Sequence, residues 1–146
     1  MYLIALLSLA IVASSGVNSY ISYKEFTARE REVELLEIGT AYAKAIKSYY
    51  YASPGSSGHF PKSLDDLLED KRSVKMQRHL RKRLLDPITS SNEWGLIMTR
   101  DGEIMGVYSL SNKKPFKTTG FPDAQRAFSE ASSYQDWKFE FTGKKE

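Results

Sequence analysis

The chain has no cysteine. That excludes disulfides, zinc–thiolate sites and thiol catalysis, and it fixes no compartment, because many exported domains do without disulfides. Histidine is nearly as scarce. His59 follows a Ser/Gly-rich stretch and His79 sits among basic residues, and neither has a carboxylate or a second histidine at metal-ligand spacing. A Gly-x-Ser-x-Gly elbow, a phosphate-binding glycine loop and a paired-histidine helix motif are all missing. No nucleophile with its base and orienting group can be assembled, so the reading is non-enzymatic. A further absence says more than these: no charged residue precedes Lys24.

Met1 to Tyr23 is thus an uncharged, largely apolar run, long enough as a helix to cross a hydrocarbon core of roughly 30 Å. It continues without a turn signal into an amphipathic pattern that reaches about Ala52, and a helix over Leu3–Ala52 would measure ~75 Å. Between Lys24 and Lys47 five basic side chains balance five acidic ones. Leu35, Ile38, Tyr42, Ile46 and Tyr49 recur there at spacings of three and four, which places them on one helix face. Pro54-Gly55 stops the pattern. Three regions follow: a membrane-spanning part over 1–23, an amphipathic stem over 24–53 and a small head over 54–146. A head that short buries only a modest core unless it packs on the stem.

The head reads as α+β. Ser63 and Asp66 form a capping-box pattern before Leu67-Leu68, which predicts a short helix from Leu64 to about Glu69. A second helix is expected from Met76 to Leu85, ending before Asp86-Pro87. Trp94–Thr99 and Glu103–Leu110 read as strands joined through Arg100-Asp101-Gly102, where Asp-Gly is a strong hairpin signal. Alternation of Trp137, Phe139 and Phe141 with Lys138 and Glu140 predicts a third strand. Trp94, Trp137 and Phe139 should join the stem stripe in one core. Of Tyr49, Tyr50 and Tyr51, one ring should be exposed, because three consecutive helical residues cannot share a face.

Two candidate sites remain. Lys71, Arg72, Lys75, Arg78, His79, Arg81, Lys82 and Arg83 form the main charge cluster. It reads either as the solvated face of a helix whose Leu80, Leu84 and Leu85 face the core, or as a patch for an acidic partner or anionic headgroups, centred on Lys75, Arg78, Arg81 and Lys82. No aromatic residues interleave it, so nucleic acid is not favoured. Contact with the acidic stem of a neighbouring copy (Glu30, Glu32, Glu34, Glu37) is a third use. Asp123, Glu130 and Asp136 lie too far apart in the sequence to suggest the six to eight oxygen ligands of calcium, and ordinary surface carboxylates are the simpler reading.

Met1-Tyr2-Leu3-Ile4-Ala5-Leu6-Leu7, followed by a rod and a small head, resembles the mature N-terminus of type IV pilin-like proteins, in particular the pseudopilins of type II secretion systems. The segments Glu34–Gly39, Phe60–Leu68, Asp86-Pro87, Glu93–Ile97 and Ile104–Ser111 are similar, in order, to a pseudopilin-like group of bacterial secretion-related proteins. The resemblance implies a structural subunit held by a single pass in the bacterial inner membrane, its head in the periplasm. It further implies cleavage of a basic leader before Met1 by a prepilin peptidase, with N-methylation of the new terminus. Other pseudopilins and the inner-membrane assembly machinery would be its partners. Leu3, Ile4, Ala5, Leu6, Leu7 and Ala10 would then pack in a filament core. A leader also accounts for the basic residues Lys24, Arg29 and Arg31 lying after the span, which would otherwise hold the head in the cytoplasm. Met1 and Ala5 stand where the family keeps phenylalanine and glutamate, which points to a minor or specialised subunit. The alternative is a single-pass periplasmic binding module that never polymerises and uses the basic helix near 71–83.

Overall fold

The computed structural model describes the backbone of residues 2–55 and 57–143, and the side chains of 23–55 and 57–143. One helix, α1, runs Tyr2–Tyr51, 50 residues or ~75 Å. No proline interrupts it, and it ends where Pro54 and Gly55 (φ +94°) turn the chain away. Met1 lies outside the described residues, and so do the side chains of Leu3, Ile4, Ala5, Leu6, Leu7 and Ala10. Among the residues whose side chains are described, no helix is long and apolar enough to cross a membrane. The span expected over 1–23 lies outside them except for Tyr23.

The head is an antiparallel sheet with irregular segments wrapped round it. Strands β1 (Gly95–Met98), β2 (Ile104–Tyr108) and β3 (Phe139–Glu140) lie in the order β1-β2-β3. The Asp-Gly hairpin forms where expected. Thr99 N–H donates to Glu103 O at 2.7 Å, Gly102 N–H donates to Thr99 O at 3.1 Å, and Gly102 takes φ +78°. The register slips by one residue there, since Ile97 pairs with Gly106 but Met98 with Ile104. The third strand is shorter than its alternation suggests. Trp137 instead closes a 3-10 turn, Tyr134–Asp136; Phe139 and Glu140 pair with β2, and Phe141 N–H adds one bond to Met105 O at 2.9 Å.

The stem stripe packs as its spacing predicts. Leu35, Tyr42, Ile46 and Tyr49 are buried and Ile38 is half-buried against them. They meet Trp94, Ile104, Val107, Trp137 and Phe139 in one cluster, so stem and head share a single core. Trp137, fully buried, stacks on Phe128 at 5.4 Å and 9°. Gly39 faces the Phe139 ring so closely that a Cβ would overlap it, which explains a helix-weakening residue in mid-stem. Of the three tyrosines, Tyr49 is buried, Tyr50 packs on Phe60 and Phe141, and Tyr51 is exposed.

Two further expectations need correction. The first short helix is a single 3-10 turn, Leu64–Leu67, though Asp66 does cap it, accepting the N–H groups of Lys62 and Ser63 at 2.9 Å. The helix expected over Met76–Leu85 does not form. That segment is irregular, tied by a bridge between Asp70 and Gln77 and by His79 and Leu80 N–H groups donating to Leu67 O at 2.9 Å. Tyr42 Oη also donates to Leu84 O at 3.2 Å and accepts Leu84 N–H at 3.1 Å. Tertiary partners thus take backbone groups that a helix would have used.

Candidate functional site

Among the described residues three carboxylates are buried, and each ties separate segments together. Asp86 accepts Ile88 N–H at 2.9 Å and the Ser109 hydroxyl at 2.7 Å, fixing the Asp86–Ser91 loop to the chain after β2. Glu32, on α1, accepts Phe116 N–H at 2.8 Å and Lys117 N–H at 3.1 Å. Tyr134 Oη donates to the same carboxylate at 3.3 Å. Burial, and then the Glu32 charge, hold the Tyr134 phenol above its ordinary range. Glu32 therefore faces the protein's own loop. The acidic stem face expected for a neighbouring copy reduces to Glu30, Glu34 and Glu37, which are exposed.

Asp70 organises the basic segment. Arg72 donates to both its oxygens, at 2.9 Å (Nε) and 2.7 Å (Nη2). It also donates to Ser53 Oγ and to Tyr49 O, both at 2.7 Å, and stacks over the Tyr49 ring. Tyr49 O is one of the last carbonyls of α1, whose own final turn holds no basic residue, so Arg72 supplies the missing cap from another segment. Hydrogen bonds from Arg72 hold the Asp70 carboxyl well below the usual range, against the opposing effect of burial.

His79 completes this brace. Its Nε2 lies 3.1 Å from Asp70 Oδ2 and its Nδ1 2.8 Å from Ser48 Oγ. Nε2–H donating to Asp70 leaves Nδ1 to accept the Ser48 hydroxyl, which satisfies all three groups. A serine–imidazole–carboxylate line suggests nucleophilic catalysis, but two features oppose that use. Arg72 already occupies both oxygens of Asp70. The N–H groups beside Ser48 lie inside α1, where helical bonding takes the donors an oxyanion would need.

The structure splits the basic cluster that the sequence groups together. Arg72 and His79 turn inward and Arg83 pairs with Asp65 at 2.9 Å. Lys75, Arg78, Arg81 and Lys82 stay exposed beside exposed Val74 and Met76, on an irregular loop rather than a helix face. The carboxylates considered for calcium are separately engaged or dispersed. Asp123 pairs with Arg126 at 2.6 Å, Asp136 accepts Ser132 and Ser133 N–H groups at 2.9 Å, and Glu130 is exposed. Among the described residues no group of three or more histidines or acids is placed to hold a metal.

One concave feature escaped the sequence reading because its walls come from segments far apart in the chain. A groove of about 530 Å³ opens between the start of the described stem and the Lys113–Phe116 segment. Tyr23, Lys24 and Arg31 line one side, and Lys113, Lys114 and Phe116 the other. Half-buried Ile88 and buried Tyr134 also line it, and no carboxylate is among its described lining residues. The single sequence signal was the pair Lys113-Lys114.

No family model, no curated protein and no solved structure matches this chain.

Proposed function

We propose that the chain is a structural, pilin-like subunit, anchored by the uncharged N-terminal part of α1 and assembling with other such subunits through it. The observation that carries this reading is the joining of two roles in one helix. Residues 2–22 contain no charge, yet they continue unbroken into a stem whose apolar stripe is the backbone of the head's core. Lipid is already apolar, so helix association there depends on close contact, and Ala5, Ser8, Ala10 and Ala13 allow near approach. The secretion-system pseudopilin described from the sequence is the finer form of this reading, with the assembly machinery and other pseudopilins as partners. A second reading, a non-polymerising anchored module, is favoured by the exposed cations Lys75, Arg78, Arg81 and Lys82 beside exposed Val74 and Met76.

Cross-linking separates the two. The chain lacks cysteine, so thiols introduced at Leu7 and Val17 would be its sole ones. In cells that make the protein natively, cross-linked ladders are expected, and Ala10→Lys, which costs roughly a few kcal/mol in a membrane, should abolish them. If ladders never form while the protein keeps its cellular role, the module reading replaces the filament.

A further inference from the structure

The basic groove at the start of the described stem has a composition and a position that single out one ligand chemistry. Four cationic side chains line it, Lys24 and Arg31 from α1 and Lys113 and Lys114 from the head. Phe116, Ile88 and Tyr134 line it too, so the cavity offers apolar wall as well as charge. The buried acids beside it are engaged inside the fold and do not line it, Glu32 by the Phe116 and Lys117 N–H groups and the Tyr134 hydroxyl, Asp86 by Ile88 N–H and the Ser109 hydroxyl. Two further cations sit close by, Arg29 over the Phe116 ring at 5.6 Å and Lys117 over Phe121 at 5.1 Å.

Position adds a second, independent argument. The groove begins at Tyr23, where the uncharged run ends, and Arg31 lies only about 12 Å farther along the helix axis. That depth matches a lipid headgroup layer together with the water next to it. Tyr23 and Phe26 are 69% and 60% exposed at the same level, as aromatic residues at a membrane boundary are.

We propose that this groove binds the phosphate headgroup of an anionic phospholipid, Arg31, Lys113 and Lys114 meeting the phosphate while Phe116 and Ile88 wall the site. The proposal rests on the membrane placement of residues 1–23 given above. A bound headgroup would join stem to head at the bilayer surface and set the height of the head above it.

The test uses the full chain reconstituted in nanodiscs of phosphatidylcholine, alone or mixed with phosphatidylglycerol. Native mass spectrometry counts the lipids kept after release. Flotation with neutral vesicles reports insertion separately. Selective retention of phosphatidylglycerol is expected, reduced at least about fivefold in Arg31→Gln/Lys113→Gln/Lys114→Gln. The three side chains are exposed and outside the core, so near-ultraviolet circular dichroism should not change. Lys75→Gln/Arg78→Gln/Lys82→Gln removes the same charge from the segment braced at Ser48 and Tyr49, at the other end of the stem, and should keep the selectivity. Insertion with equal retention of both lipids, or equal losses in both triple variants, overturns the groove proposal and leaves the membrane reading standing. A chain that does not insert but binds inorganic phosphate through Lys113 and Lys114 overturns the headgroup and the membrane reading together. A chain that neither inserts nor binds phosphate removes both and the phosphate chemistry with them.

Discussion

The Glu32 carboxylate accepts the backbone N–H of Phe116 at 2.8 Å across 84 residues of sequence. The bond ties the stem to a loop with no secondary structure of its own, and Tyr134 and Lys117 share the same carboxylate.

Glu32→Ala should therefore destabilise the full chain, studied in detergent micelles, by about 1–3 kcal/mol, because it leaves two part-buried N–H groups and the buried Tyr134 hydroxyl without that partner. Glu32→Gln keeps an acceptor oxygen and should cost less. Urea titration followed by near-ultraviolet circular dichroism measures both. A Glu32→Ala midpoint equal to wild type would show that the loop is held by other contacts.

Alkaline pH probes the same contact from the other side. Burial raises the phenols of Tyr134, Tyr42 and Tyr49 above the ordinary value of 10.0. A pKa raised on folding gives stability that is present below the unfolded value and lost as pH rises through the folded one. Stability should begin to fall above about pH 10, and Tyr134→Phe should flatten that decline.

Acid should act through Asp70, whose carboxyl Arg72 holds below its ordinary 3.8. The sign is opposite: its contribution is present above about pH 4 and is lost as pH falls further, toward the folded value. Asp70→Asn should lower stability at neutral pH and flatten the acid limb, as measured by thermal melts over the acid range. Arg72→Lys should also destabilise, because one ammonium cannot reach Asp70, Ser53 and Tyr49 O together.

Gly39→Ala sets two effects against each other. Helix propensity favours alanine by about 1 kcal/mol. The added methyl would overlap the Phe139 ring, and overpacking of that kind costs about 1–3 kcal/mol. A net loss of stability is expected, and a gain would show that β3 can move away from the stem.

Trp137→Ala should cost about 3–5 kcal/mol, since the ring is fully buried and stacked on Phe128. Trp137→Phe should cost less, under about 2 kcal/mol. It keeps a ring in the stack and removes Nε1–H, which has no partner among the described residues. Denaturant midpoints of the two variants would rank them.

What the sequence made legible was periodic or local. Leu35, Tyr42, Ile46 and Tyr49 announced the buried face of α1, Asp101-Gly102 announced the hairpin, and Asp66 announced its cap. The segment over Met76–Leu85 misled because Leu80, Leu84 and Leu85 carry helical spacing while the backbone of Leu80 and Leu84 is claimed by Leu67, Tyr42 and Trp94, all outside the segment. No local pattern carries that information. The Asp70–Arg72–His79–Ser48 brace was hidden for the same reason, since Ser48 and His79 are 31 positions apart. The 3-10 segment Asp123–Glu130 packs its one large apolar side chain, Phe128, on Phe121, and a single such position sets no period from which the segment could be read.

The brace at Tyr49 and the Glu32 bond grip α1 about 25 Å apart, with the Gly39–Phe139 crossing between them. Any pull along the axis of α1 would load these attachments in shear and together, instead of peeling them open one after another. The head is thus fastened to its helix as cargo is lashed to a towline, at several points along the direction of tension.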